Sequence, residues 1–161
     1  MKKNKALRVS IIMGSQSDYK IMKLTEKTLK NLGITFETKI ISAHRTPKRM
    51  YEFALNAEKN NIGVIIAGAG GSAHLPGMIA ALTSLPVLGV PVESKKLKGL
   101  DSLLSIVQMP KGCPTATMAI NGSFNAGLFA ASIIGTFDFK TRSNLEKWKR
   151  LQTRSIKKKP K

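Results

Sequence analysis

Val64-Ile65-Ile66-Ala67-Gly68-Ala69-Gly70-Gly71-Ser72-Ala73-His74-Leu75-Pro76-Gly77, residues 64–77, is the stretch on which the fold turns. Its first four residues form a continuous apolar run bounded by glycines. They lack the apolar–polar alternation of a strand with one wet face. Runs of this kind are buried on both sides, as in parallel sheets covered by helices. From Gly68 to Gly77 the chain then becomes a loop of small residues, where a ligand can come close to main-chain atoms. A small-residue helix is expected around Pro76 to Leu82.

The same order of strand, loop and helix repeats on either side. Upstream, Leu7 to Met13 (LRVSIIM) reads as a buried strand ended by Gly14. Gly14-Ser15-Gln16-Ser17-Asp18 follows, and then a helix with Ile21, Leu24, Thr28, Leu29 and Leu32 on its inner face and Gly33 as its stop. Ile34 to Ile41 is a second strand. It runs into Ser42-Ala43-His44-Arg45-Thr46-Pro47, with Pro47 in the first turn of a helix reaching about Lys59. Downstream we expect a strand at Pro86–Val90, a basic connection from Pro91 to Gly99, and a helix at Leu100–Gln108. A loop broken by two prolines and a glycine follows at 109–114, then a short strand at Thr115–Ile120. Asn121-Gly122 is a turn signal, Ser123–Ile134 a helix, and Asp138 to about Gln152 an amphipathic segment through Leu145, Trp148 and Leu151. Trp148 suggests that this last helix docks on another subunit or back on its own. The alternation predicts an α/β fold with a parallel sheet and helices on both faces. At 161 residues we expect one catalytic domain, 1–161, with no internal repeat. A basic leader covers about 1–6, and a helix and basic tail about 138–161.

Composition narrows the class. There are 27 basic and 9 acidic residues, a net charge of +18, which points to an anionic partner such as phosphate or nucleic acid. The distribution favours a solvated surface. Lys2, Lys3 and Lys5 lie in the leader and Lys157, Lys158, Lys159 and Lys161 in the tail, while Lys20, Lys23, Lys27 and Lys30 recur at helical spacing. No helix combines dense arginine with stacking aromatics, so no nucleic-acid partner is expected. The single cysteine, Cys113, rules out an internal disulfide and reads as a reduced structural thiol. No apolar run is long enough to span a membrane, and no secretory leader is recognisable, so a cytoplasmic protein is expected.

Three loops carry the candidate chemistry, at the sheet edge where open α/β folds bind ligands. In the first, Ser15, Ser17 and the amides of a helix N-terminus suit a phosphate. Asp18 would repel phosphate and is better suited to sugar hydroxyls; a plain N-cap by Ser17 or Asp18 is the competing explanation. In the second, Arg45 offers a planar fork for phosphate or carboxylate, and His44, beside Ser42, titrates in the range needed to move protons at neutral pH. In the third, Ala69, Gly70, Gly71 and Ser72 allow close main-chain approach, and His74 reads first as a residue that positions the loop. With no cysteine cluster and no grouped carboxylates, no metal site is expected.

Taken in order, MGSQSD (13–18), SAHRTP (42–47), AGAGGSAHLPGM (67–78), PVLGVPV (86–92) and LDSLLSIVQMPKG (100–112) resemble the N5-carboxyaminoimidazole ribonucleotide mutases of bacterial purine biosynthesis. The resemblance spans about Leu7 to Ile134 in one register. It implies a flavodoxin-like three-layer α/β/α sandwich, an octamer with sites at subunit junctions, and no metal or organic cofactor. It also implies conversion of 5-(carboxyamino)imidazole ribonucleotide to 4-carboxy-5-aminoimidazole ribonucleotide. By the same resemblance His44 is the proton-transfer residue. Ser15, Ser17 and Arg45 hold the ribose-phosphate end and Asp18 the ribose. Ser42 and the amides near Ala69, Gly70 and Gly71 hold the migrating carboxylate, while His74 shapes the pocket. The HRTP form sets the chain apart from the related animal-type carboxylase, which uses free CO2. After Ile120 the chain departs from the family: the turn at Asn121–Phe124 is about two residues shorter than the usual Gly/Ala-rich one, which bears on the start of the next helix and on packing between subunits.

Overall fold

The computed structural model describes residues 7–160. The leader lysines Lys2, Lys3 and Lys5, and the terminal Lys161, lie outside them. Five strands form one sheet: β1 (Arg8–Met13), β2 (Phe36–Ile40), β3 (Ile62–Gly70), β4 (Val87–Val92) and β5 (Ala116–Thr117). Every pairing is parallel and the spatial order is β2-β1-β3-β4-β5. This is the flavodoxin-like doubly wound order, with its switch point between β1 and β3.

Among the described residues six α-helices connect and cover the sheet: α1 (Tyr19–Asn31), α2 (Pro47–Asn56), α3 (Leu75–Ala80), α4 (Leu100–Val107), α5 (Ser123–Ile134) and α6 (Phe139–Ser155). The period-2 pleat sorts the core into two halves. Val9, Ile11 and Met13 of β1, Val64 and Ile66 of β3, and Leu88 and Val90 of β4 face α1, α5 and α6. Ile12, Ile65, Ala67, Ala69 and Val87 face α2, α3 and α4.

The inner face of α1 is rotated from the one expected. Met22, Thr25, Thr28 and Leu29 are buried, whereas Leu24 is 37% exposed. The reason lies on α5. Thr25 Oγ1 donates to Ser123 O (2.7 Å), and Ser123 Oγ returns a bond to Ile21 O (2.7 Å). Gly127 lets the two helices close up, since a Cβ there would sit 2.8 Å from Thr28 Cβ. Two threonines are therefore interior because their hydroxyls are satisfied, and hydrophobicity alone does not rank them there. Lys20, Lys23, Lys27 and Lys30 all lie on the wet side.

Two strands are longer than expected. β3 runs on through Gly68, Ala69 and Gly70, and β4 through Pro91 to Val92, because the pairs Ala69↔Pro91 and Gly70↔Val92 continue the ladder. Pro91 is tolerated in an interior strand for a local reason. Its carbonyl accepts from Asn121 N (2.8 Å), on the β5 side. In a parallel ladder its missing N–H would face the same way, where the two-residue β5 has already ended. Other boundaries also move. β2 is shorter, α2 stops at Asn56 before a 3-10 turn at Glu58–Asn60, α3 stops at Ala80, and α6 reaches Ser155.

α5 starts at Ser123 as expected, so the short preceding turn does not disturb it. Asn121 adopts φ 59°, a left-handed conformation that asparagine tolerates better than most residues. Asp138 caps α6 by accepting from Thr141 N (2.8 Å). Leu145 is buried and Trp148 packs against the core of its own chain, its ring centroid 5.8 Å from that of Phe124.

Candidate active site

The register sets the site. Met13 at the end of β1 lies opposite Ile40 of β2 on one side and Gly68 of β3 on the other. The loops leaving these three strands therefore converge at the switch point. Between them lies a cavity of about 400 Å³ lined by Ser15, Ser17, Asp18, Ser42, His44, Arg45, Ala69, Gly70, Gly71, Ser72 and His74. All eleven residues expected from the sequence line one space.

The first loop is a 3-10 turn, Gln16–Asp18, leading into α1. Asp18 is nearly buried. Its Oδ2 accepts from Ser15 N (3.1 Å) and its Oδ1 from Ser17 Oγ (3.2 Å), while the Ser15 and Ser17 hydroxyls bond each other. Burial pushes the Asp18 carboxyl above its usual value. The bonds from Ser17 and Ser15 and the charge of Arg45 offset this only in part.

Arg45 joins the first loop to the second. Its Nη2 donates to Gly14 O (2.8 Å) and its Nε to Ser42 Oγ (3.2 Å), which also accepts from Arg45 N (3.3 Å). Thr46 closes the turn, accepting from Ser42 N (2.9 Å) and donating to Ser42 O (3.0 Å). Two of the five guanidinium N–H donors are thus used for placement, and the remainder can meet an anion. Ser42 Oγ accepts twice from Arg45, which leaves its own hydrogen to donate.

The third wall is partly strand. Ala69 and Gly70 belong to β3, with the loop proper beginning at Gly71. Gly71 adopts φ 69°, a region that favours glycine. Its N–H donates to Ser102 Oγ of α4 (2.8 Å), which in turn donates to Val92 O (2.7 Å). The Gly71 N–H is therefore engaged inside the protein rather than offered to a carboxylate. Gly68, just behind, packs closely on Met22: a Cβ would sit 2.4 Å from Met22 Sδ, so the methionine would have to shift.

His44 and His74 meet across the cavity. His44 Nε2 and His74 Nδ1 are 2.9 Å apart, and the rings stand edge to face with centroids 4.9 Å apart. The spacing of 30 residues hides this pairing in the sequence; it exists because β2 and β3, whose loops carry the two histidines, flank β1 on either side. Sequence reasoning also missed Val92, Glu93 and Ser94, which line the cavity from the end of β4. Asn121 holds Glu93 from both sides, accepting from Glu93 N (3.0 Å) and donating to its Oε2 (3.1 Å). The rule that ligands sit beyond strand ends would have found this wall had β4 not been ended at Val90.

A doubly wound α/β sheet with serines, an arginine and two histidines around one switch-point cavity defines the class of α/β proteins whose chemistry suits a small anionic molecule. The chain belongs to the AIR carboxylase family, whose model matches residues 8–155. It is 55% identical over 152 residues to the N5-carboxyaminoimidazole ribonucleotide mutase of Vibrio parahaemolyticus, covering 93% of this chain and 94% of that one. It is 62% identical over 128 residues to the Thermotoga maritima mutase, covering 80% and 75%. Among solved structures, a single-site variant of Treponema denticola PurE2 superposes with a TM-score of 0.87 at 25% identity, covering 94% of both chains. Treponema denticola PurE does so with 0.84 at 26%, covering 92% of both. No helix among the described residues is long and apolar enough to cross a membrane.

Proposed function

We propose that this chain is an N5-carboxyaminoimidazole ribonucleotide mutase. It isomerises 5-(carboxyamino)imidazole ribonucleotide to 4-carboxy-5-aminoimidazole ribonucleotide in purine biosynthesis. The observation that carries the reading is the convergence of the GSQSD, SAHRTP and GAGGSAH segments on one cavity. The family name refers to a carboxylase and the closely similar relatives are mutases. The HRTP sequence at 44–47 favours the mutase.

Ser15, Ser17 and Arg45 take the phosphate end, and Asp18 accepts from the ribose hydroxyls. Ser42 donates to the carboxylate, which lies against the small-residue wall of Ala69, Gly70, Gly71 and Ser72. Protonation of the substrate's exocyclic nitrogen by His44 releases the carboxyl group as CO2. Ring carbon C4 attacks that CO2, and His44 takes up the C4 proton to restore aromaticity. The proton count closes, so no base is consumed. Containment of CO2 between the two steps sets the efficiency, since escape competes with recapture.

The reading places the enzyme in the cytoplasm as a homo-octamer without a cofactor. Exposed Leu100, Leu104 and Val107 along α4, with Leu97 in the turn before it, supply an apolar surface suited to subunit contacts. The test follows the N-carboxylated substrate on purified protein, with and without bicarbonate. Wild type is expected to turn it over without bicarbonate, metal or ATP, and His44→Asn to lose at least about 10²-fold in kcat. A strict need for high bicarbonate with the uncarboxylated ribonucleotide would refute the mutase reading. Normal turnover by His44→Asn would refute the role of His44.

A further inference from the structure

We infer that His74 is a positioning residue that relays the catalytic proton: the bond between His44 Nε2 and His74 Nδ1 fixes the tautomer of His44 and carries the proton that His44 gives and takes back. The inference rests on the mutase reading for its kinetic arm and on geometry alone for its spectroscopic arm.

At 2.9 Å only one hydrogen fits between the two nitrogens. When both rings are neutral there are two arrangements. If His44 donates, both rings are Nε2–H tautomers, the form that the imidazole of histidine favours intrinsically. If His74 donates, both must be the less favoured Nδ1–H form. The first arrangement is therefore the neutral state. It leaves the Nδ1 lone pair of His44 as the base, a role set by the hydrogen bond on the other nitrogen.

The proton path then balances. The C4 proton of the substrate arrives at His44 Nδ1. The Nε2 proton of His44 moves along the existing bond to His74 Nδ1. His44 stays neutral, and His74, already carrying Nε2–H, becomes imidazolium. In the first half-reaction the path runs backwards. His44 Nδ1–H protonates the substrate nitrogen while Nε2 recovers its proton from His74. One proton thus serves both halves, and two imidazolium rings never face each other at 4.9 Å. The other charged groups lining the cavity are Asp18, Arg45 and Glu93. Arg45 is next to His44 in the chain, so moving the positive charge to His74 takes it away from a fixed cation.

His74→Asn separates this role from packing. Its Oδ1 occupies the place of Nδ1 and can accept from His44 Nε2–H, but it cannot store a proton. We expect kcat to fall roughly tenfold to a hundredfold with KM changed less than about threefold, and the pH profile of kcat to change shape. In the ligand-free wild type with ¹⁵N-labelled histidine, NMR at high pH is expected to show protonated Nε2 and bare Nδ1 on both rings. On acidification, nitrogens of both rings should respond to one shared protonation. Unchanged kcat and pH profile in His74→Asn would overturn the relay. So would wild-type spectra with Nδ1–H tautomers or with rings that titrate independently. If wild type failed to turn over the N-carboxylated substrate, the mutase reading would fall and the spectra would still decide the pairing. They also decide it should His74→Asn not fold.

Discussion

Replacing Ser102 by alanine removes one oxygen from the interior and strands two backbone groups. The Ser102 side chain is fully buried; its Oγ accepts from Gly71 N at 2.8 Å and donates to Val92 O at 2.7 Å. A methyl can make neither bond. A buried donor or acceptor left unsatisfied costs about 1–3 kcal/mol. Val92 O keeps its second lone pair, so the sum falls at roughly 2–4 kcal/mol. For a chain of this size that lowers the melting temperature by about 5–15 °C. Thermal and denaturant unfolding measure the loss. Amide exchange at Gly71 should quicken because its acceptor has gone, and KM should rise because the wall formed by Ala69–Ser72 has lost its brace. A stability loss below about 0.5 kcal/mol with unchanged exchange at Gly71 would refute the idea that α4 holds this loop in place.

Two further predictions concern pH. Burial raises the Asp18 carboxyl above its unfolded value, so ionised Asp18 opposes folding; that penalty is absent below the unfolded pKa and complete above the raised one. Asp18→Asn can keep both loop bonds by donating to Ser17, so it should melt higher than wild type at pH 7, with the gap closing as pH falls towards about 4; a pH-independent gap would contradict the assignment. Burial also pushes Glu37 up, but Lys39, Arg8 and Ser10 together bring it below its usual value. Its contribution is present above the unfolded pKa and lost as pH falls through the lowered one. Glu37→Gln should therefore lose about 1 kcal/mol at pH 7, measured by urea unfolding, with little difference from wild type in acid; equal stability at both pH values would sink the claim.

The layered fold was legible because its signal is redundant. An unbroken apolar run at Val64–Ala67, glycine after the first and third strand runs and proline at the start of α2 all point the same way. The three loops were legible for the same reason, since each falls at a strand end. Strand length was harder to read, because glycine and proline normally break pairing. Gly68–Gly70 and Pro91 stay in the ladder because the neighbouring strand is there to meet them, which is tertiary information. The inner face of α1 was misjudged at Leu24, because Thr25 and Thr28 owe their burial to α5, far along the chain. The contact between His44 and His74, and the clamp of Asn121 on Glu93, depend on strand order and left no mark in local pattern.

The packing of α1 on α5 also has a consequence in time. Thr25 and Ser123 are 98 positions apart, yet they share one of the bonds that close this face of the sheet. All three loops that surround the cavity have been synthesised by residue 77, whereas α5 ends at Ile134. At about 5–20 residues per second the ribosome leaves a delay of several seconds. During it, Val9, Ile11, Val64 and Ile66 have α1 but not α5 to shelter them. The nascent chain thus carries its three ligand loops with its apolar flank still open, which is the interval in which a holding chaperone would act.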